Sequence, residues 1–187
     1  SISLHIGLLI VVLFSGVLPW SLDWYNSQLG TGLWAIAGFL LFVPLILSLF
    51  SLPLGWYGQF RLEERFGFNT TTQITWWMDW AKGILLSLIL GWPMVALVVW
   101  LFKWGAEWWW LWAWGSMMVF QLLMVILAPK IIMPLFNQFT PLADGALKER
   151  LLALGERTGF NARTIQVMDG SRRSRHSNAF FTGFGRW

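Results

Sequence analysis

Long apolar stretches separated by short polar segments dominate the first two thirds of the chain. Four of them are long enough for a membrane-spanning helix, at residues 2–20, 33–54, 76–102 and 108–127. A helix needs about 20 residues to cross the hydrocarbon core of a bilayer, so each stretch is predicted to span a membrane. Pro44 and Pro93 lie inside two of the stretches. They predict kinks, which neighbouring helices in a bundle tolerate.

The pattern changes after the fourth stretch, where shorter apolar runs alternate with polar residues. Three leucines recur at helical spacing between Asp144, the predicted N-cap, and Gly159, the predicted C-terminal stop. Residues 165–167 alternate apolar and polar positions and predict a short strand, and residues 178–182 predict a second one. These elements are the start of an α+β domain that is too small to close a core by itself.

The resulting fold class is mainly α. The chain is predicted to be a multi-pass helical membrane protein with four spanning helices, followed by the start of an α+β domain. Residues 1–134 are assigned to the membrane domain and residues 135–187 to the second domain. An abrupt apolar start and an end at residues 183–187 that reads as mid-strand or turn lead us to expect a fragment of a longer protein.

Composition supports a bilayer environment. Of the 187 residues, 57% are hydrophobic and only 12% are charged, which is too little charge for a soluble domain of this size. The second predicted loop contains Arg61 and Arg65, and the segment after the fourth helix contains nine of the 13 Lys and Arg residues. Four spans place both segments on the same side of the membrane, which the positive-inside rule predicts to be cytoplasmic.

Tryptophan is unusually abundant, with 16 residues, and is concentrated near the predicted helix ends. Trp76, Trp77 and Trp80 mark the cytoplasmic start of the third helix, and a second group lies near the opposite ends of the third and fourth helices. Amphipathic indole rings prefer the headgroup level of a membrane. We therefore interpret both groups as interfacial anchors in preference to a substrate cage.

Residues suited to metal chemistry are sparse. The chain has no cysteine and two histidines, His5 and His176, which are far apart in the sequence. The strongest sequence sign of a catalytic zinc site, H-E-x-x-H on a helix, is absent. The sequence therefore predicts no complete zinc site within these residues.

Several charged groups leave alternatives open. Asp79 and Lys82, three residues apart, fit an ion pair on one helix face or a proton or ion relay. The carboxylates of residues 63–64 fit a solvated loop, metal ligands or a contact with the second domain. The arginine-rich residues 171–175 fit a topology signal better than a nucleic-acid site, because no aromatic residues alternate with the arginines. Membrane lipid is thus a predicted partner, and nucleic acid is not.

Five segments, in order along the chain, closely resemble the type I CAAX prenyl endopeptidases, a family of integral-membrane zinc metallopeptidases. The segments are EERFGFN at 63–69, Asp79 with KG at 82–83, PLFN at 134–137, FTPL at 139–142, and VMDGSRRSRHSNAFFTGFG at 167–185. The last segment is the most specific. The resemblance covers essentially the whole chain.

The resemblance implies membrane helices around a large water-filled chamber, inside which a zinc-bearing domain cleaves C-terminal peptides from CAAX-type prenylated or other membrane-associated proteins. The family has one further spanning helix before Ile2, two more after the last residues of this chain, and its zinc motif downstream of Trp187. Zinc is thus expected in the full-length protein, with ligands outside this chain. The rival reading is a non-catalytic multi-pass membrane protein, such as a transporter or a scaffold.

The resemblance also implies a small set of site residues. Asn178 and Ala179 match the family's Asn-Ala motif on the strand beside the active-site cleft. With Phe180, they are predicted to contact a bound peptide or protein substrate. His176 is predicted to line the same cleft without binding zinc. No catalytic residue and no metal ligand is predicted in this chain.

Overall fold

The computed structural model describes residues 2–159, 164–176 and 179. The chain divides into two compact units, Ser1–Gln121 and Leu122–Trp187. The described residues are mainly helical, with one small sheet in the second unit. The prediction of a mainly α protein is confirmed.

In the structure, the first predicted span is divided between two helices. Helix α1 covers Ile2–Phe14 and helix α2 covers Val17–Leu29, in place of one helix over residues 2–20. Gly16, which precedes α2, has φ 74°. Residues with a Cβ adopt this left-handed conformation only at a steric cost. Most of the segment predicted to be the first loop is therefore helical, because α2 starts at this break and continues to Leu29.

The second predicted span is bent and extends beyond its predicted end. Helix α3 covers Leu33–Leu49, and helix α4 covers Leu52–Tyr57 and continues as a π-helical turn over Gly58–Glu63. The two parts are inclined by 43°. A proline in the first turn of α4 favours a new helix start there, since its fixed φ suits that position. The chain remains helical to residue 65, so the acidic residues predicted to lie in a solvated loop are on a helix.

The third apolar stretch lies within one helix of 32 residues, Gln73–Trp104. It consists of α5 (Gln73–Leu86), a π-helical turn (Ser87–Gly91) and α6 (Trp92–Trp104). The hydroxyl of Thr72 accepts a hydrogen bond from the Thr75 N–H and caps the start. Pro93 is the second residue after the π turn. Because proline has no N–H and its ring clashes with the preceding turn, a local change of winding accommodates it.

The fourth stretch lies within a second long helix of 31 residues, Ala106–Phe136. A 3-10 turn (Ala106–Trp108) leads into α7 (Trp109–Leu127), a π-helical turn (Ala128–Ile132) and α8 (Met133–Phe136). By length and composition, two helices of the described chain can cross a membrane, or three if the bent α3–α4 pair is one span.

Small residues bring α3 and α6 together. Ala37 of α3 and Ala96 of α6 are almost completely buried, and the two helices pack against each other. Small side chains allow close backbone approach, a common way of joining helices in lipid. The Trp92 indole N–H donates to the Trp34 carbonyl oxygen at 3.0 Å and joins the same two helices. Most other large apolar side chains of the described residues are exposed, as expected for helices surrounded by lipid.

The second unit contains a two-stranded antiparallel sheet. Strand β1 (Phe139–Pro141) pairs with strand β2 (Gln166–Met168) so that Thr140 is opposite Val167. The strand predicted at residues 165–167 is confirmed with a shift of one residue. Its partner β1 was not predicted, and the strand predicted at residues 178–182 lies outside the described residues except for Ala179.

Helix α9 (Ala146–Thr158) connects the two strands. Gly159 ends it with φ 69°, which confirms the predicted stop. The predicted N-cap is wrong, because Gly145 occupies that position. Asp144 instead forms an ion pair with Lys148, with Nζ and Oδ1 2.7 Å apart.

The Asp144–Lys148 ion pair makes the start of α9 sensitive to acid. The hydrogen bond from Lys148, together with its positive charge, lowers the pKa of the Asp144 carboxyl below its usual value of 3.8. A lowered pKa means that the ion pair is fully present above the usual value and is lost as the pH falls through the lowered pKa. Because the pair is exposed to solvent, its contribution is small.

Candidate functional site

Within the segment that has the most specific resemblance, residues 169–174 fold as a compact turn directly after β2. The backbone forms a 3-10 turn over Gly170–Arg172. The N–H of Arg172 donates to the Asp169 carbonyl oxygen at 3.0 Å. The N–H groups of Arg173 and Ser174 both donate to the Gly170 carbonyl oxygen, at 2.9 and 3.1 Å. Local hydrogen bonds therefore fix the course of the chain from Asp169 to Ser174.

Asp169 joins this turn to the residue that precedes β1. The Gln138 N–H donates to the Asp169 carboxylate at 2.7 Å, and the Asp169 N–H donates to the Gln138 carbonyl oxygen at 3.1 Å. This reciprocal pair extends the contact between the two strands by one position. The Arg172 guanidinium lies 3.5 Å from the other carboxylate oxygen of Asp169 and partly balances its charge.

Arg173 joins the turn to the end of α8. Its guanidinium donates to the Phe136 carbonyl oxygen and, at 3.0 Å, to the Asn137 side-chain oxygen. The last carbonyl groups of a helix have no partner within the helix and carry partial negative charge. The half-buried guanidinium of Arg173 donates hydrogen bonds to this end of the helix, and its positive charge balances the partial negative charge there.

The predicted site residues lie beyond this fixed turn. His176 is exposed, and its N–H donates to the Ser174 hydroxyl oxygen at 3.2 Å. Ala179 is also exposed. Asn178 and Phe180 lie outside the described residues. The roles assigned to these four residues therefore remain predictions.

Two residues that hold the segment in place were missed in the sequence. In the sequence, Arg173 is one member of a basic run and Asp169 is half of an Asp-Gly pair. Their importance depends on contacts with Phe136, Asn137 and Gln138, which lie 31 to 37 positions earlier. The available signal was that PLFN and DGSRRSR both lie in the segments that resemble the same family, which indicates that the two segments act together.

The residues present do not fit a zinc site. A catalytic zinc ion usually has three protein ligands from His, Glu, Asp or Cys. Across residues 2–159, 164–176 and 179, no three such side chains converge.

Comparison with known proteins gives consistent matches. The family model for the CAAX prenyl protease N-terminal region, described as having five membrane helices, matches residues 1–138. CAAX prenyl protease 1 of Saccharomyces cerevisiae is 43% identical over 137 residues, covering 73% of this chain and 30% of the yeast protein. The CAAX prenyl protease 1 homolog of Arabidopsis thaliana is 37% identical over 185 residues, covering 92% of this chain and 42% of the plant protein.

A solved structure is similar as well. The crystal structure of S. mikatae Ste24p matches with a TM-score of 0.75 and 40% sequence identity, covering 82% of this chain and 36% of that chain. The plant match covers so much of this chain that it extends past residue 138 into the segment with β1 and β2. The chain spans less than half the length of each of these relatives.

Proposed function

Because the chain belongs to the CAAX prenyl protease family, we propose that it is part of a membrane zinc metalloendopeptidase. The complete protein cleaves C-terminal peptides from CAAX-type prenylated or other membrane-associated proteins. This chain supplies membrane helices and the beginning of the peptidase domain, and zinc binds to ligands outside it. The observation that carries the proposal is one collinear match through both the membrane helices and the β1–β2 segment.

The distribution of Lys and Arg along the sequence supports a specific topology. We propose four crossings, through α1 with the start of α2, the bent α3–α4 pair, Gln73–Trp104 and Ala106–Phe136. The second loop and the C-terminal segment then lie on the cytoplasmic side, where the basic residues are concentrated.

This topology has a direct test, because the chain has no cysteine of its own. Single cysteines introduced by Arg65→Cys and Glu107→Cys are expected to react with an impermeant maleimide from opposite sides of the membrane, Arg65→Cys from the cytoplasmic side. Labelling of both variants from the same side would overturn the four-span arrangement.

The proposed substrate contacts are His176, Asn178, Ala179 and Phe180. Asp169 and Arg173 support this role, because they hold the preceding turn against Phe136–Gln138. The chain therefore continues to the proposed contact residues from a fixed position. An extended segment at a sheet edge can hold a peptide through backbone pairing. The partner of the site is thus a peptide or protein chain, with no role for nucleic acid.

The proposed activity is tested on the full-length protein. We expect the reading frame past the codon of Trp187 to encode H-E-x-x-H, and the purified protein to release the C-terminal tripeptide from a prenylated CAAX peptide. A zinc chelator should stop the release, and added zinc should restore it. A full-length protein that carries the motif but leaves every such peptide intact would favour the transporter or scaffold reading.

Ala179 offers a test of backbone pairing with the substrate. Ala179→Pro in the full-length protein removes one N–H group and is expected to lower kcat/KM for the peptide about tenfold, the value of one hydrogen bond of about 1.4 kcal/mol. Ala179→Ser is the matched control, because it keeps the N–H with a side chain of similar size. Equal kcat/KM for the two variants, at equal Tm, would contradict the proposed contact.

A further inference from the structure

A cleft of about 410 Å³ lies where the π-helical turn Gly58–Glu63 approaches the start of α5. Its apolar wall contains Trp56 and Phe60, and its polar wall contains the hydroxyls of Thr71 and Thr72. Two oppositely charged side chains, Arg61 and Glu64, also line it. The cleft therefore combines an aromatic surface with one cation and one anion.

Hydrogen bonds between its walls keep the cleft in shape. The Gln59 amide donates to the Asn69 side-chain oxygen at 2.7 Å and to the Thr71 hydroxyl at 3.2 Å. The Thr71 N–H donates to the same Asn69 oxygen at 2.9 Å. The Trp56 indole N–H donates to the Gln73 side-chain oxygen at 3.0 Å. These bonds join the helix before the loop to the residues after it, so the cleft exists before any ligand arrives.

A continuous row of aromatic rings indicates the level in the membrane at which the cleft lies. The ring centroid of Phe60 lies 5.7 Å from that of Trp56 and 6.3 Å from that of Trp76. Trp77 and Trp80 continue the row at 4.8 and 5.8 Å. Tryptophan belts lie at the headgroup level of a membrane, so the ligand most available to this cleft is a lipid headgroup.

The charges specify which headgroup fits. Over the described residues, neither the Arg61 guanidinium nor the Glu64 carboxylate has a side-chain hydrogen bond or ion pair. A guanidinium matches a phosphate, and a carboxylate matches a group that donates hydrogen bonds and carries positive charge. We propose that the cleft binds the headgroup of phosphatidylethanolamine, with Arg61 on the phosphate and Glu64 on the primary ammonium. This inference requires membrane insertion only and is independent of protease activity.

The test measures lipid binding to the purified full-length protein in detergent, by native mass spectrometry. Wild type is expected to bind phosphatidylethanolamine about tenfold more tightly than phosphatidylcholine, whose trimethylated ammonium donates no hydrogen bond. Glu64→Gln should remove this preference, because it removes the carboxylate that distinguishes the two headgroups. Arg61→Gln should weaken both lipids about tenfold, since it removes the contact with the shared phosphate.

Arg65→Gln is the matched control, because Arg65 is an exposed cation on the same helix that does not line the cleft. It should leave both affinities unchanged. Equal binding of the two lipids to wild type, tighter binding of phosphatidylglycerol, or a preference that persists in Glu64→Gln would overturn the proposal. Binding of glycerophosphoethanolamine or inorganic phosphate as tight as that of the lipid would also overturn it, because the source would then be a soluble phosphate.

Discussion

Replacing Arg173 with alanine is expected to speed amide hydrogen exchange at Asp169 and Leu142 by about a hundredfold, which corresponds to about 3 kcal/mol of local opening free energy. The substitution removes both guanidinium contacts with the end of α8 and leaves the carbonyl of Phe136 without its cation. The two amides report on the β1–β2 contact, because they donate across it to Gln138 and Ile165. The measurement is hydrogen–deuterium exchange of the full-length protein in detergent.

Two matched variants separate this contact from general loss of charge. Arg175→Ala removes an exposed cation two residues away and should leave the exchange rates at wild-type values. Arg173→Lys keeps the charge but not the fork of donors, so an intermediate rate is expected. Identical exchange in Arg173→Ala and Arg175→Ala would show that the clamp on α8 does not stabilise the sheet.

Gly105→Ala is expected to destabilise the turn between the two long helices by about 3 kcal/mol, the upper end of the usual cost of overpacking. A Cβ at this position would lie 2.5 Å from the Leu101 carbonyl oxygen and 2.7 Å from the Trp109 Cα. Both atoms belong to the backbone, so no side chain can rotate away and the turn itself must shift. For a chain of this size the Tm in detergent should fall by about 6–12 °C.

Gly115→Ala is the control for this prediction. It makes the same change inside α7, at a position where an added Cβ meets no atom within 4 Å. Alanine is the better helix former, so its Tm should equal or exceed that of wild type. A Tm for Gly105→Ala within about 2 °C of wild type, which corresponds to a loss of at most about 1 kcal/mol, would contradict the requirement for glycine in the turn.

The presence of membrane helices was predictable from the sequence, but their interruptions were not. Hydropathy depends on the side chains, and it correctly indicated the third and fourth stretches, which lie within long helices. The break before α2 depends instead on the backbone conformation of one residue, Gly16. An apolar run looks the same whether or not a glycine within it adopts a positive φ.

The second unit shows the same division between local and distant causes. The end of α9 was predictable because Gly159 is a local signal for a left-handed cap. Strand β1 was missed because it has three residues, ends in a proline and is defined by pairing with a segment 27 positions away. Arg173 looks like one charge among several in the sequence for the same reason. Its role depends on Phe136, which no local pattern connects to it.

The π turn at Ser87–Gly91 has a consequence for how the helix Gln73–Trp104 can change in evolution. The π turn contains one residue more than an α-helical turn would. Each residue of an α-helix advances by about 100° around the axis, so the extra residue changes the relative rotation of the two halves of the helix. Ala96 fixes the azimuth of the second half against α3, whereas Asp79 and Lys82 lie before the turn. A single deletion within the turn would swing both charges around the helix axis while the packed half keeps its contacts. The deletion of one codon can therefore change the direction in which Asp79 and Lys82 point from the helix, while the interface between α3 and α6 stays the same.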